Sequence, residues 1–500
     1  MRDDEHIALN RKVFESMLER LGEDAPFDER LSIARRAALL AVETGTGYYS
    51  SDALERFYFG IAREIHAPPA GAPRQDECLV VMTEAYNIGG HTRVAERWME
   101  ADRKRRYSLA VTRPPKGELP ERLTASVNRS GGNVRVFGGK DLASTALELR
   151  RHSSGFESVL LFTHMYDPVP LVAYGTDEFT RPVGLYNHAD HDFWLGAGIA
   201  DLVADLRRWG ARLTNGLRGI PRSYPLTIPV DAHIRRGPGK EEARSRTGLD
   251  RGDLVVLAVG SAFKYRPLAG KDFLSAVEPL LESDPAVRFV GIGMTAADLP
   301  RWGRLARKHG RRVSLLGNVP HERLGDYLSA ADLLLDSYPV SGPTTMADAV
   351  CAGLPALTTP GPIGLQDWLD ASGACCGSLA EMSGRAMELL HDKEASAALA
   401  ESLRRRLEET SGADAFKRGV DGFFERLLAT RHQVYDFRPG VGGPGDLDAY
   451  FLHVNRRSKP RLRLPPVLSY FKESDAAGRW RAIESFGRRL EFGWRGQRGC

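Results

Sequence analysis

The sequence predicts an α/β protein made of two consecutive blocks, each alternating short apolar runs with longer amphipathic stretches. Three observations carry this. Strand-like apolar runs recur between residues 75 and 235 and again between 250 and 430. The segments joining them are long enough for helices that cross over a parallel sheet. Glycine- and proline-rich stretches separate the blocks from each other and from a strand-poor beginning.

Residues 1–74 read as a helical N-terminal segment. Leu18, Leu21, Leu31, Ile33, Ala38, Leu39 and Leu40 recur at helix-like intervals, Gly45 and Gly47 interrupt them, and a linker follows from Ala67 to Pro73. In the first block, 75–235, the candidate strands are Cys78–Met82, Tyr107–Thr112, Val134–Phe137, Val159–Thr163, Val183–Tyr186 and the neighbourhood of Leu213. A charged hinge, Ile234 to Lys240, precedes the second block, 250–430. Its candidate strands are Leu254–Val259, Val287–Ile292, Val313–Leu316, Leu333–Leu335 and Pro355–Thr358. Each block is Rossmann-like, and two in succession predict domains facing a cleft. Residues 431–500 form a C-terminal extension in which Arg and Lys between Arg456 and Arg498 alternate with Tyr470, Phe471, Trp480, Phe486, Phe492 and Trp494. That extension reads either as a surface for anionic partners, including peripheral membrane contact, or as helix packed back on the body with a solvated basic face.

Composition narrows the class. The 500 residues are 42% hydrophobic and 27% charged, which excludes collagen-like, disordered and disulfide-scaffold proteins. A net charge of +4 does not suggest a nucleic-acid partner. The chain shows neither a membrane-length apolar run nor the layout of a signal peptide, so a cytoplasmic protein is expected. The five cysteines are irregularly spaced without a CxxC pair, and no metal site is expected.

The segment Ala331 to Pro355 reads as strand, turn, helix, glycine stop and strand. Gly342-Pro343 suits the turn, and Thr344 and Thr345 fall at the helix start, where free N–H groups and the positive dipole end receive an anion. Asp348 lies one turn on, on the same face, at the reach of a ribose diol. The alternative is that Thr344 simply caps the helix and Asp348 is a solvated first-turn acid. Lys264 follows strand Leu254–Val259 on a turn, at the end of the sheet where ligands of such folds bind, and could pair with a diphosphate.

Residues 250–360 resemble the C-terminal half of nucleotide-sugar glycosyltransferases of the B fold, nearest to the O-GlcNAc transferase group and its bacterial protein-glycosyltransferase relatives. The resemblance runs from Pro320-His321-Glu322 through Ala331-Asp332 to Thr344-Thr345 and Asp348. It implies that Lys264 binds the diphosphate, Thr344 and Thr345 the phosphate and Asp348 the ribose of a UDP-sugar, with His321 near the uracil. Two positions depart from the pattern. Pro343 replaces the usual small polar residue or histidine, and Val340 stands where many retaining enzymes carry an acid, which favours inversion.

On the first block, Gly89-Gly90-His91 follows strand Cys78–Met82 and resembles the N-terminal glycine loop of the same fold. His91 is thus a candidate base or phosphate contact. Strand Val183–Tyr186 runs into His188-Ala189-Asp190-His191-Asp192, a cluster suited to acid–base work on an acceptor, to a metal, or to a structural network under Trp194. His164 occupies a similar place after Val159–Thr163. The expectation is a metal-independent, inverting glycosyltransferase acting on a protein or glycan acceptor. A nucleotide-sugar epimerase and a non-catalytic binding protein are the alternatives.

Overall fold

The computed structural model describes residues 3–22, 24–67, 71–86, 90–115, 117–138, 141–230, 239–442, 447 and 450. Gly89, most of the hinge that ends at Lys240 and the basic extension beyond 450 lie outside the described residues. The chain folds as two compact units. One comprises residues 1–204, 211–224 and the chain from Phe424 on; the other comprises 205–210 and 225–423.

The first unit is organised by strands β1 (Arg74–Met82), β2 (Arg106–Val111), β3 (Val134–Val136), β4 (Phe156–Phe162), β5 (Val183–Asn187), β6 (Leu202–Asp205) and β7 (Ser223–Pro225). They are ordered β3-β2-β1-β4-β5-β6-β7, and β1 pairs in parallel with β2 and with β4, Val80 lying opposite Leu109 on one side and Leu160 on the other. Cys78 to Met82 are all buried, as a parallel strand covered on both faces must be, and this is why they form an unbroken apolar run. The expected strand around Leu213 is instead the helix Arg208–Gly216; the strand lies earlier, at β6. Leu213 stands among charged and small residues at helical spacing, whereas Leu202-Val203-Ala204 is the continuous buried run.

The N-terminal helices Asp3–Glu19, Phe27–Thr44 and Asp52–Glu64 are built into this unit. Phe14, Ile33, Leu54 and Phe59 share one core with Leu79, Val81, Leu161 and Leu185. A buried guanidinium fastens the third helix: Arg150 donates to Ile65 O at 2.6 Å, Ala62 O at 2.8 Å, Ala173 O at 2.7 Å and Val172 O at 2.8 Å. Its five donors suit the unpaired carbonyls of two helix ends. The returning chain after the helix Ala413–Leu428 closes the unit. His432 meets Asp201 Oδ2 at 2.8 Å and Tyr174 O at 2.8 Å, and the Tyr435 hydroxyl donates to Asp201 Oδ1 at 2.9 Å.

The second unit carries β8 (Leu254–Val259), β9 (Val287–Ile292), β10 (Val313–Leu315), β11 (Leu333–Leu335) and β12 (Ala356–Leu357). Their order is β10-β9-β8-β11-β12, and all four neighbouring pairs are parallel. In both sheets the order reverses between the first strand and the fourth, which opens a crevice at their carboxyl ends. Close packing there depends on Gly293, after β9. Its φ is +86°, and a Cβ would lie 2.6 Å from Gly260 O at the end of β8.

Candidate functional site

In the second unit, Lys264 and the helix Pro343–Cys351 meet where the strand order reverses. Lys264 lies on a short 3₁₀ turn, Ala262–Tyr265, just beyond β8. Its Nζ donates to Ser341 O at 3.3 Å, at the mouth of the helix. Gly342 is the N-cap, without a side-chain cap, and Pro343 occupies the first helical turn. Thr344 is therefore not the cap. Its exposed hydroxyl, its N–H and that of Thr345 stand at the positive end of the helix, free to meet an anion. Asp348 follows one turn later, half-buried. His321 opens the helix His321–Ala330; its side chain lies outside what is described.

Asp336, directly after β11, organises this corner. Its Oδ1 accepts the N–H groups of Ser337 and Gly342, each at 2.8 Å. Its Oδ2 accepts the hydroxyls of Ser341 at 2.5 Å and Thr358 at 2.8 Å. Burial pulls its carboxyl up, while Ser341, Gly342, Thr358 and Lys264 pull it back. Burial likewise lowers Lys264, and Asp336 opposes that. An ammonium held in so little water gains strongly from an arriving anion. Sequence reasoning missed Asp336; its one signal was its place as the first polar residue after an apolar strand.

In the first unit a second cluster lies at the carboxyl ends of β1, β4 and β5. The rings of His91 and His188 are 5.3 Å apart, those of His91 and His164 5.9 Å, and Tyr86 stacks on His164 at 5.9 Å. His91 Nε2 is 3.3 Å from Glu84 O, and Gly90 begins the helix Gly90–Ala101. A buried network sets His164. Its backbone N–H donates to Thr83 Oγ1 at 2.8 Å, while the Thr83 and Thr112 hydroxyls donate to Asp167 Oδ2 at 2.6 and 2.8 Å. Burial lowers His188 to about 3, with His91 and His164 adding to it, and burial also lowers His91 and His164.

The aspartates serve a different histidine from the one beside them in this cluster. His191 Nδ1 is 3.4 Å from Asp190 Oδ1, and its Nε2 is 3.7 Å from Asp192 Oδ2. His191 is thus the ring flanked by carboxylates, which can orient it toward a proton to be taken. His188 is neutral and poorly basic.

Three histidines kept neutral by the fold give a stability signature. The unfolded chain binds protons at these sites below about pH 6.5, the ordinary histidine value, and the folded chain does not. Stability is therefore present above that pH and lost as pH falls from there toward the folded values. Each group contributes at most about 1.4 kcal/mol per pH unit. Urea unfolding between pH 7 and 5 should show a shallower loss in His188→Gln than in the wild type; equal slopes would refute the assignment.

No family model matches the chain, and no curated protein does. Solved structures do. HepE of Anabaena in complex with UDP is similar with a TM-score of 0.55 at 14% identity, over 70% of this chain and 99% of that one. The O-GlcNAc transferase of Thermobaculum terrenum gives 0.52 at 18% identity, over 85% and 84%. A glycosyltransferase from Rickettsia africae gives 0.54 at 11% identity, over 71% and 100%. These likenesses establish the glycosyltransferase B fold, with its two Rossmann-like sheets.

Proposed function

We propose, from the premise of that fold, that the chain transfers a sugar from a nucleotide-sugar donor, UDP-linked, to a protein or glycan acceptor. One observation carries the reading: Lys264 and an uncapped helix start converge at the reversal point of the second sheet. HepE, similar in fold, is known in complex with UDP and with UDP-glucose. In this reading Lys264 and the first turn at Thr344 and Thr345 hold the diphosphate, Gly342 lets it approach, and Asp348 accepts from the ribose hydroxyls. The sequence resemblance assigns His321 to the uracil.

The acceptor hydroxyl is bound by the first unit. His191, steadied by Asp190 and Asp192, removes its proton as the oxygen attacks the anomeric carbon. The bond from that carbon to the phosphate oxygen breaks, and the electron pair leaves with UDP. Lys264, the two threonines and the helix dipole stabilise the growing charge on the leaving group without a metal ion. His91 and His188, neutral, offer hydrogen bonds to acceptor or sugar. Direct attack inverts the anomeric centre, in keeping with Val340 in place of an acid.

Among the described residues no helix is long and apolar enough to cross a membrane. The basic extension beyond 450 is proposed as a peripheral contact for an acceptor or an anionic membrane.

Titration calorimetry with UDP and UDP-glucose tests the donor side. Saturable binding at micromolar to millimolar UDP is expected, and its absence overturns the reading. Incubation with UDP-GlcNAc alone separates transfer from epimerisation, since only an epimerase changes the sugar without an acceptor.

A further inference from the structure

The loop bearing His188, Asp190, His191 and Asp192 runs on to Gly198, and a residue from outside the sheet grips its far end. We propose that Glu55, on the helix Asp52–Glu64, is a positioning residue for this loop, and that the N-terminal helices brace the acceptor side of the enzyme. The inference rests on reading that loop as acceptor machinery.

Glu55 is fully buried. Its Oε1 accepts the N–H groups of Gly196 at 2.7 Å and Ala197 at 3.0 Å, and its Oε2 accepts that of Gly198 at 2.7 Å. Three successive N–H groups turned toward one carboxylate form an anion-binding nest, here filled from within the protein. The loop sequence permits it. Gly196 has φ +124°, and a Cβ on Gly198 would press against Phe59 and sit 3.1 Å from Glu55 Oε2. Burial pushes the Glu55 carboxyl up to about 7, the three N–H bonds hold it down, and Asp52 on the same helix adds a little to the rise.

The preceding residues hold the loop as well. Trp194 N donates to Tyr49 O at 3.2 Å, and the Ser50 hydroxyl donates to Arg218 O at 3.2 Å. Arg218 in turn donates to Asp190 O at 2.9 Å and Asp192 O at 2.5 Å, with its guanidinium over Trp194 and Tyr49. Residues 49–55 thus secure both the stretch carrying the aspartates and the stretch after it. An apolar side chain at this position would leave the three buried N–H groups without an acceptor, so the carboxylate is what holds the loop in this shape.

Hydrogen exchange of the full chain, compared between wild type and Glu55→Gln, tests this. The amide places a donor against N–H groups and weakens the grip. Exchange across residues 188–198 should rise about tenfold, the equivalent of one weakened buried hydrogen bond, while UDP affinity stays within about twofold. UDP release from UDP-glucose, counted per UDP-binding site titrated by calorimetry, should lose kcat, because loss of folded protein lowers the number of sites and not the turnover of each. Glu55→Asp, shorter but ionisable, should restore part of both, and it carries the comparison if the glutamine variant fails to fold. Unchanged exchange in 188–198, or an equal rise throughout the first unit, overturns the proposal. Should the wild type fail to bind UDP, the donor reading falls, and the exchange data still decide the brace.

Discussion

Lys264→Ala is expected to lower turnover of a UDP-sugar by about 10²–10³-fold, the usual consequence of removing one preorganised donor from a developing negative charge. The residue is half-buried and lies at the mouth of an uncapped helix, so solvent cannot replace it well. Its ammonium also balances the buried Asp336. Alanine should therefore raise the Asp336 carboxyl further and weaken UDP binding. Arginine, longer and forked, should rescue little, because the pocket receives a point charge. Steady-state UDP release and UDP calorimetry on the purified variant are the measurements. Unaltered kinetics would place the donor elsewhere.

Asp336→Ala should be the most damaging change in the second unit, at about 3–5 kcal/mol of stability. It strands two backbone N–H groups and two hydroxyls. A buried donor left without an acceptor costs about 1–3 kcal/mol, though such losses are not additive. The same change releases the segment from Ser337 to Gly342, which aims the helix start. Asp336→Asn keeps the shape and two acceptor sites, and should lose about 1–2 kcal/mol. Urea unfolding followed by tryptophan emission distinguishes the two variants; similar midpoints for wild type and alanine would show that the loop stands without the carboxylate.

Much of this architecture was legible in the sequence because strands covered on both faces write themselves as unbroken apolar runs. Leu333–Leu335 and Leu254–Val259 could be read to the residue. The places of Lys264, Thr344 and Thr345 in the fold were legible for a related reason: a polar residue at a strand's carboxyl end or a helix's first turn has its position set by short-range geometry. Leu213 misled because the helical spacing around it is short enough to pass for the end of a strand. What remained hidden is held by long-range bonds. Glu55 meets Gly196 across 141 positions. His188 and His91 approach only because their strands end on the same side of one sheet. Nothing local in MRDDEHIALNRK or in Asp52–Glu64 announces a partner beyond β5.

The His432–Asp201 pair has a consequence for biogenesis. The two residues are 231 positions apart, and the entire second unit is threaded between them. During synthesis the Asp201 carboxylate emerges long before the imidazole that will meet it. The earlier-made half must wait on the ribosome, its acid solvated, until the inserted half has been made and the chain returns to seal it.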